Sequence, residues 1–328
     1  MDRRAFIATV TGSLLAAPLA VAAQQQPRRT ARIGYLALSE LPNAPGRAAF
    51  QDGLRELGWI EGQNLTVELR VADGNRKVLS EQAAELVRLN PDVLVAASSL
   101  PAQALMKATN TIPIVVAASS DPLEDGLVTS LARPGGNITG LSLALEDSLT
   151  GKWLELLKEA ISTATRFAVL LNPTWPGHVP LLTEARLVGR SLSVRLDAHE
   201  VRSPEQFDGA FAQMTRGRAD GLIVFPSTTF TTGRTRLAQL AVKHRLPTMF
   251  ENRLFTEEGG LLSYGPNILA LYQRGAFYVD RILKGVRPAD LPIEQPTKFE
   301  LVINLKTAKA LGLTIPQSLL QRVDQVIE

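Results

Sequence analysis

The feature that most constrains this chain is one plan of strands written twice. In the first half, residues 32–38 (RIGYLAL) are apolar almost throughout, residues 65–70 alternate with period two, and residues 93–97 and 114–117 are again apolar. In the second half, residues 167–171 (FAVLL) are apolar, residues 194–199 alternate, and residues 222–225 and 248–250 are apolar once more. A strand apolar on both sides needs cover on both faces, whereas a period-two strand has one wet face and belongs at an edge. Both halves therefore predict an α/β lobe built on a parallel sheet of order 2-1-3-4-5, flanked by helices. A chain of 328 residues, 45% apolar and 20% charged, holds two such lobes at roughly 150 residues each.

Apolar spacings of three and four predict the intervening helices, among them 47–57, 80–89, 148–160, 178–190, 204–216 and 232–244. Leu269, Tyr272, Ala276, Val279 and Leu283 mark one long amphipathic helix, ended by Gly285, Pro288 and Pro292. A last strand at 300–303 and two short helices follow. Turn-rich segments at 132–137 and 259–266 read as crossing points. The predicted lobes are residues 30–142 with 266–292, and residues 143–265 with 293–328, joined as a hinged clamp.

Residues 1–23 form a separate text. Asp2, Arg3 and Arg4 precede an apolar run of about 15 residues, shorter than the roughly 18–20 of a spanning helix. Small residues then lead to three glutamines, the order of a secretory signal peptide cleaved after Ala22 or Ala23. Arg3-Arg4-Ala5-Phe6-Ile7 also fits the twin-arginine signal, so both export routes stay open. The chain has no cysteine, which removes a lipid anchor, disulfides, thiolate metal sites and cysteine nucleophiles together. The expectation is an exported protein, free and unanchored outside the cytoplasm. Its formal net charge of +3 is too weak and diffuse to point to nucleic acid.

The usual catalytic signatures are missing. No G-x-G-x-x-G follows the first strand, and no P-loop, G-x-S-x-G elbow or H-E-x-x-H motif occurs. His178, His199 and His244 lack ligand-like spacing and read as surface structure. No catalytic residue, metal site or cofactor is predicted.

Strand ends carry more information, because ligands of open parallel sheets bind beyond the carboxyl ends of the strands. Those ends are Ser39, Ser98-Ser99, Ser119-Ser120-Asp121, Asn172, Ser227-Thr228 and Glu251-Asn252, nearly all small hydroxyl, amide or carboxylate groups. Any one of them also suits a helix cap, and Asp121-Pro122 has the form of an N-cap followed by proline. As a group they predict a cleft in which hydroxyls and helix-start N–H groups take a carboxylate. Asp121 and Glu251, one from each lobe, would receive an ammonium group. Trp175, on the loop after the strand at 167–171, would wall an aromatic or aliphatic side chain, or pack beneath its own loop. Tyr264, at a lobe crossing, reads as hinge or wall.

Several segments resemble a known family: Gly34-Tyr35-Leu36, residues 50–59 (FQDGLRELGW), Ser120-Asp121-Pro122, residues 130–140 (SLARPGGNITG), Ser263-Tyr264-Gly265-Pro266 and residues 303–312 (INLKTAKALG). These are similar to the substrate-binding proteins of ABC transporters of the tryptophan/tyrosine type. The resemblance implies a type I periplasmic binding fold that closes on a small solute and delivers it to a membrane permease. It carries over to Ser98, Ser120, Asp121, Asn172 and Tyr264, which fall in or beside the matching segments. Glu251 and Trp175, with Ser39, Ser99 and Ser227, rest on chemistry alone. The expectation is a monomeric periplasmic receptor for an amino acid or related solute, partnered by an ABC permease and not by nucleic acid. A sensor that presents its closed form to a membrane signalling receptor is the alternative. An exported enzyme using Asp121 and Glu251 as acid and base is a third.

Overall fold

A computed structural model describes residues 30–39, 44–143, 148–175 and 177–328; the segment 1–23 lies outside the described residues. The first sheet is built by β1 (Ala31–Ala37), β2 (Leu65–Val71), β3 (Val93–Ala96), β4 (Ile114–Ser119) and β5 (Ile138–Ser142), with α1 (Pro45–Glu56), α2 (Arg76–Arg88) and α3 (Ser99–Ala108) between them. Its strands are all parallel and lie in the order β2-β1-β3-β4-β5.

The chain then passes through α4 (Ser148–Ala160), β6 (Arg166–Leu171), α5 (His178–Ser191), β7 (Arg195–Glu200), α6 (Phe207–Arg216) and β8 (Gly221–Val224). Next come α7 (Thr228–Thr232), α8 (Arg234–Lys243), β9 (Thr248–Phe250), α9 (Arg253–Glu257) and β10 (Leu262–Pro266). These strands repeat the first order, as β7-β6-β8-β9-β10. After α10 (Ile268–Leu283), the chain adds β11 (Phe299–Asn304), α11 (Leu305–Leu311), α12 (Gln317–Leu320) and β12 (Gln325–Ile327). β11 pairs antiparallel to β10, because the chain re-enters this lobe from the strand-end side.

The burial pattern explains the order. β3, β4 and β8 are buried at every position, whereas β7 alternates and β2 is half-buried beyond Leu65, so these two take the edges. Each sheet carries an apolar layer on both faces. In the first lobe Phe50, Leu54, Ala276 and Val279 cover one face, and Leu79, Leu86 and Leu105 the other. In the second, Trp153, Leu157 and Ala185 face Phe207, Phe211 and Leu237 across the sheet. Each fully buried large side chain contributes about 1.5–3 kcal/mol.

The lobes are linked between β5 and α4, between β10 and α10, and before β11. Asn267 caps α10, its Oδ1 accepting from the Ala270 N–H at 3.0 Å, and the helix then packs on α1 and β4 of the first lobe. Ile293 and Glu294 still donate to first-lobe carbonyls, Leu131 O at 2.8 Å and Gly140 O at 3.0 Å, before the chain returns to the second sheet. Gly140 is obligatory here. Its φ is +140°, and a Cβ would sit 2.1 Å from Val116 O on β4.

Two elements differ from the sequence-based expectation. The helix predicted over 232–244 is α8, and a further short helix, α7, that was not expected precedes it across Gly233. The segment 259–266, read as a crossing, also forms β10, because Leu262 to Pro266 lie buried between β9 and β11 despite their turn-forming residues. Among the described residues no helix is long and apolar enough to cross a membrane.

Candidate functional site

The carboxyl ends of both sheets open onto one cavity of about 470 Å³, a size suited to a small solute. From the first lobe Leu38 and Ser39 follow β1, Ala97, Ser98 and Ser99 follow β3, and Ser120 follows β4; all line it. From the second, Asn172, Thr174 and Trp175 follow β6, Ser227 and Thr229 follow β8, and Glu251 and Asn252 follow β9. Eight of the residues singled out from the sequence therefore meet in one place: Ser39, Ser98, Ser99, Ser120, Asn172, Trp175, Ser227 and Glu251.

On the first-lobe wall, Ser98 is the N-cap residue of α3 but makes no side-chain cap, which leaves its hydroxyl unspent. Ser99 is committed below the surface. Its Oγ lies 3.2 Å from Ser119 Oγ and accepts from the Ser120 N–H at 3.1 Å, and Ser119 in turn donates to Asp125 Oδ2 at 3.1 Å. Burial pushes the Asp125 carboxyl up, and these hydroxyl bonds partly offset the shift. The network holds the ends of β3 and β4 together under the cavity.

On the facing wall, Asn172 is 6% exposed and donates from Nδ2 to Thr229 Oγ1 at 3.1 Å, while its Oδ1 accepts from Thr174 N and Oγ1 at 3.0 and 2.8 Å. Ser227 Oγ and Asn252 Oδ1 each accept from a helix-start N–H, of Thr229 at 3.3 Å and Leu254 at 3.1 Å. Glu251 is also 6% exposed. One carboxyl oxygen accepts from Asn252 Nδ2 at 3.0 Å, and the other is buried with no hydrogen-bond partner. Burial pushes this carboxyl up to about 8. Its backbone leaves no room beside it, since a Cβ on Gly265 would lie 1.7 Å from Glu251 O.

His178 departs from the expectation of a surface residue: it is 1% exposed. Its Nδ1 accepts from the Asn172 N–H at 2.9 Å and its Nε2 donates to Pro226 O at 2.9 Å, so one neutral ring ties the β6 and β8 loops. Desolvation lowers its pKa to about 4. Trp175 stands edge-on against this ring, with centroids 4.4 Å apart. His199 and His244 are half-buried on an edge strand and at a helix end.

Two sequence-predicted residues lie outside the cavity lining. Asp121 Oδ1 accepts from the Leu123 and Glu124 N–H groups at 2.8 and 3.1 Å, the cap geometry its Asp-Pro pair allows. Tyr264 stacks on Phe299 in the second lobe, and its carbonyl accepts from Trp153 Nε1 at 2.6 Å. Other lining residues were not singled out in the sequence. Tyr272 was legible only as one position of the α10 apolar stripe, yet its hydroxyl donates to Ala97 O at 2.9 Å at the cavity wall. Arg76 and Arg202 line the cavity from opposite lobes and carried no local signal as exposed helix-start and loop cations.

Comparison with known proteins agrees with this geometry. A tyrosine-binding protein of Clostridioides difficile is 25% identical over 288 residues, covering 87% of this chain and 82% of that protein. The crystal structure of a conserved domain protein from Vibrio cholerae is 30% identical with a TM-score of 0.83, covering 91% of this chain and 100% of that one. An ABC domain from Streptococcus pneumoniae in complex with L-Trp is 26% identical with a TM-score of 0.81, over 91% and 100% of the two chains. The two lobes with 2-1-3-4-5 sheets form the type I periplasmic binding fold. With residues 44–327 matching the family model described as ABC transporter substrate binding protein, and a solute-sized cavity between strand ends, the chain belongs to that family.

Proposed function

We propose that this chain is an exported, periplasmic receptor that captures an amino acid between its lobes and hands it to an ABC permease, without catalysis of its own. The observation that carries the reading is the buried, unpartnered Glu251 oxygen beside a cavity that hydroxyl, amide and apolar side chains line around it. A carboxyl at 6% exposure with one oxygen lacking a partner calls for a donor, and an ammonium group supplies one with the matching charge. The Ser98 and Ser120 hydroxyls, with the N-terminus of α3, offer the complementary place for a carboxylate. Trp175 provides the apolar wall.

The two lobes would rotate about their crossings and close on the solute. A monomer suffices for this, and no cofactor or nucleic acid enters the scheme. Tyrosine and tryptophan bound by the relatives make aromatic amino acids the first ligands to try. The test is thermal unfolding of the chain, stripped of solute by denaturation and refolding, against a panel of amino acids. A ligand at about a hundred times its Kd stabilises the fold by roughly 2.7 kcal/mol. A shift of several degrees with an aromatic amino acid supports the reading. No shift with any amino acid overturns it.

A further inference from the structure

The strand order separates two poles of the cavity. Glu251 follows β9 and Arg202 follows β7, and in the order β9-β8-β6-β7 these ends lie three strand spacings apart. That is about 14 Å between strand axes. Arg76 follows β2, the matching edge of the facing sheet, where the Gly74 N–H donates to Leu38 O at 2.8 Å and brings the start of α2 to the cavity. The lobe crossings lie towards the β5 and β10 ends. The two arginines therefore stand at the edge away from the crossings, one on each lobe.

Neither cation is spent. No side-chain carboxylate among the described residues pairs with Arg76, and Arg202 has only Glu200 at 3.7 Å, both partners being more than half exposed. Such a pair is worth little. Glu251, the carboxylate at the opposite pole, is too far along the sheet to neutralise them. Two like charges carried by opposing lobes resist closure unless an anion lies between them.

Resting on the amino-acid reading above, we propose that Arg76 and Arg202 form a second, anionic subsite, and that the preferred solute carries a further anionic group at the end remote from its ammonium. The arginine forks clamp that group from both lobes, which makes the second anion a latch for closure. An amino acid with a neutral side chain fills the Glu251 end and leaves the arginines facing one another.

The test compares L-phenylalanine, 4-carboxy-L-phenylalanine and its neutral isostere 4-carbamoyl-L-phenylalanine by calorimetric titration of the wild-type chain and of Arg76→Gln/Arg202→Gln. In the wild type the carboxy compound is expected to bind about tenfold more tightly than the carbamoyl compound, with the ratio falling as salt rises. In the double variant the ratio is expected to fall to about one. A carboxy compound with no advantage, or an advantage that survives the double substitution, overturns the subsite. Phenylalanine separates the two readings. If it binds and Glu251→Gln weakens it while the carboxy ratio stays at one, the amino-acid site stands and the anionic subsite fails. If none of the three compounds binds, both fail.

Discussion

Under the proposed function, a single carboxyl at Glu251 would join stability to recognition. Its ordinary pKa of 4.5 rises to about 8 on folding, so the unfolded chain releases this proton at a lower pH than the folded one. The stability it contributes below pH 4.5 is therefore lost as pH rises towards 8. Glu251→Gln is expected to raise the melting temperature of the ligand-free chain at pH 8 and to change it little at pH 5. Binding an ammonium requires the ionised form, so wild-type affinity for an amino acid is expected to increase from pH 6 to pH 8 with release of a proton. In the Gln variant affinity should fall by about a hundredfold, as for loss of a buried charge partner, and this pH dependence should vanish. Titration calorimetry in buffers of different ionisation heat reads both effects. Asp121 belongs to the other kind of residue. Its carboxylate caps two N–H groups, and Asp121→Ala is expected to cost about 1 kcal/mol of stability in chemical denaturation. Both residues read alike in the sequence, as acids just past a buried strand. Only their surroundings, one oxygen without a partner against one shared by two amides, tell them apart.

At the scale of elements, the β6 and β8 loops work as one unit because His178 bridges them. The ring stays neutral in the fold, with a pKa of about 4 against 6.5 unfolded, so the unfolded chain binds the extra proton between those values. Stability is thus expected to fall by about 3 kcal/mol as pH drops from 6.5 to 4, and His178→Gln should lack that slope while being less stable at pH 7. Because Trp175 leans on the same ring, Trp175→Ala is expected to weaken aromatic ligands about tenfold or more and aliphatic ones far less. Equal losses for both would show that Trp175 only fills its loop. Glycine sets a stricter limit where strands approach. Gly140→Ala places a Cβ against Val116 O and should abolish cooperative folding of the first lobe, monitored by circular dichroism. The strand pattern itself was plain in the sequence. His178 was not, since one histidine at a helix start looks the same whether its ring meets water or two carbonyl-rich loops.

For the whole molecule, the expected behaviour is closure: small-angle scattering should show a smaller radius of gyration with a bound amino acid than without, and no change would leave capture without a conformational signal for the permease. The first four parallel strands of each lobe, the edge places of β2 and β7 and the polar character of the strand ends were determined by the sequence alone. Period two against continuous apolarity reports how many faces of a strand are covered, and that is a local property. The sequence also supplied eight of the residues that line the cavity, since a parallel sheet always turns its carboxyl ends to one side. Which of those ends share a cavity was decided only by tertiary structure. Arg76 and Arg202 are 126 residues apart and lie on facing sheets, and Tyr272 reaches Ala97 from α10, the helix that returns to the first lobe after β10. Such convergence depends on how two separately folded sheets are set against each other by their crossings. No periodicity along the chain encodes that relation, because each side chain's local spacing satisfies only its own helix or strand.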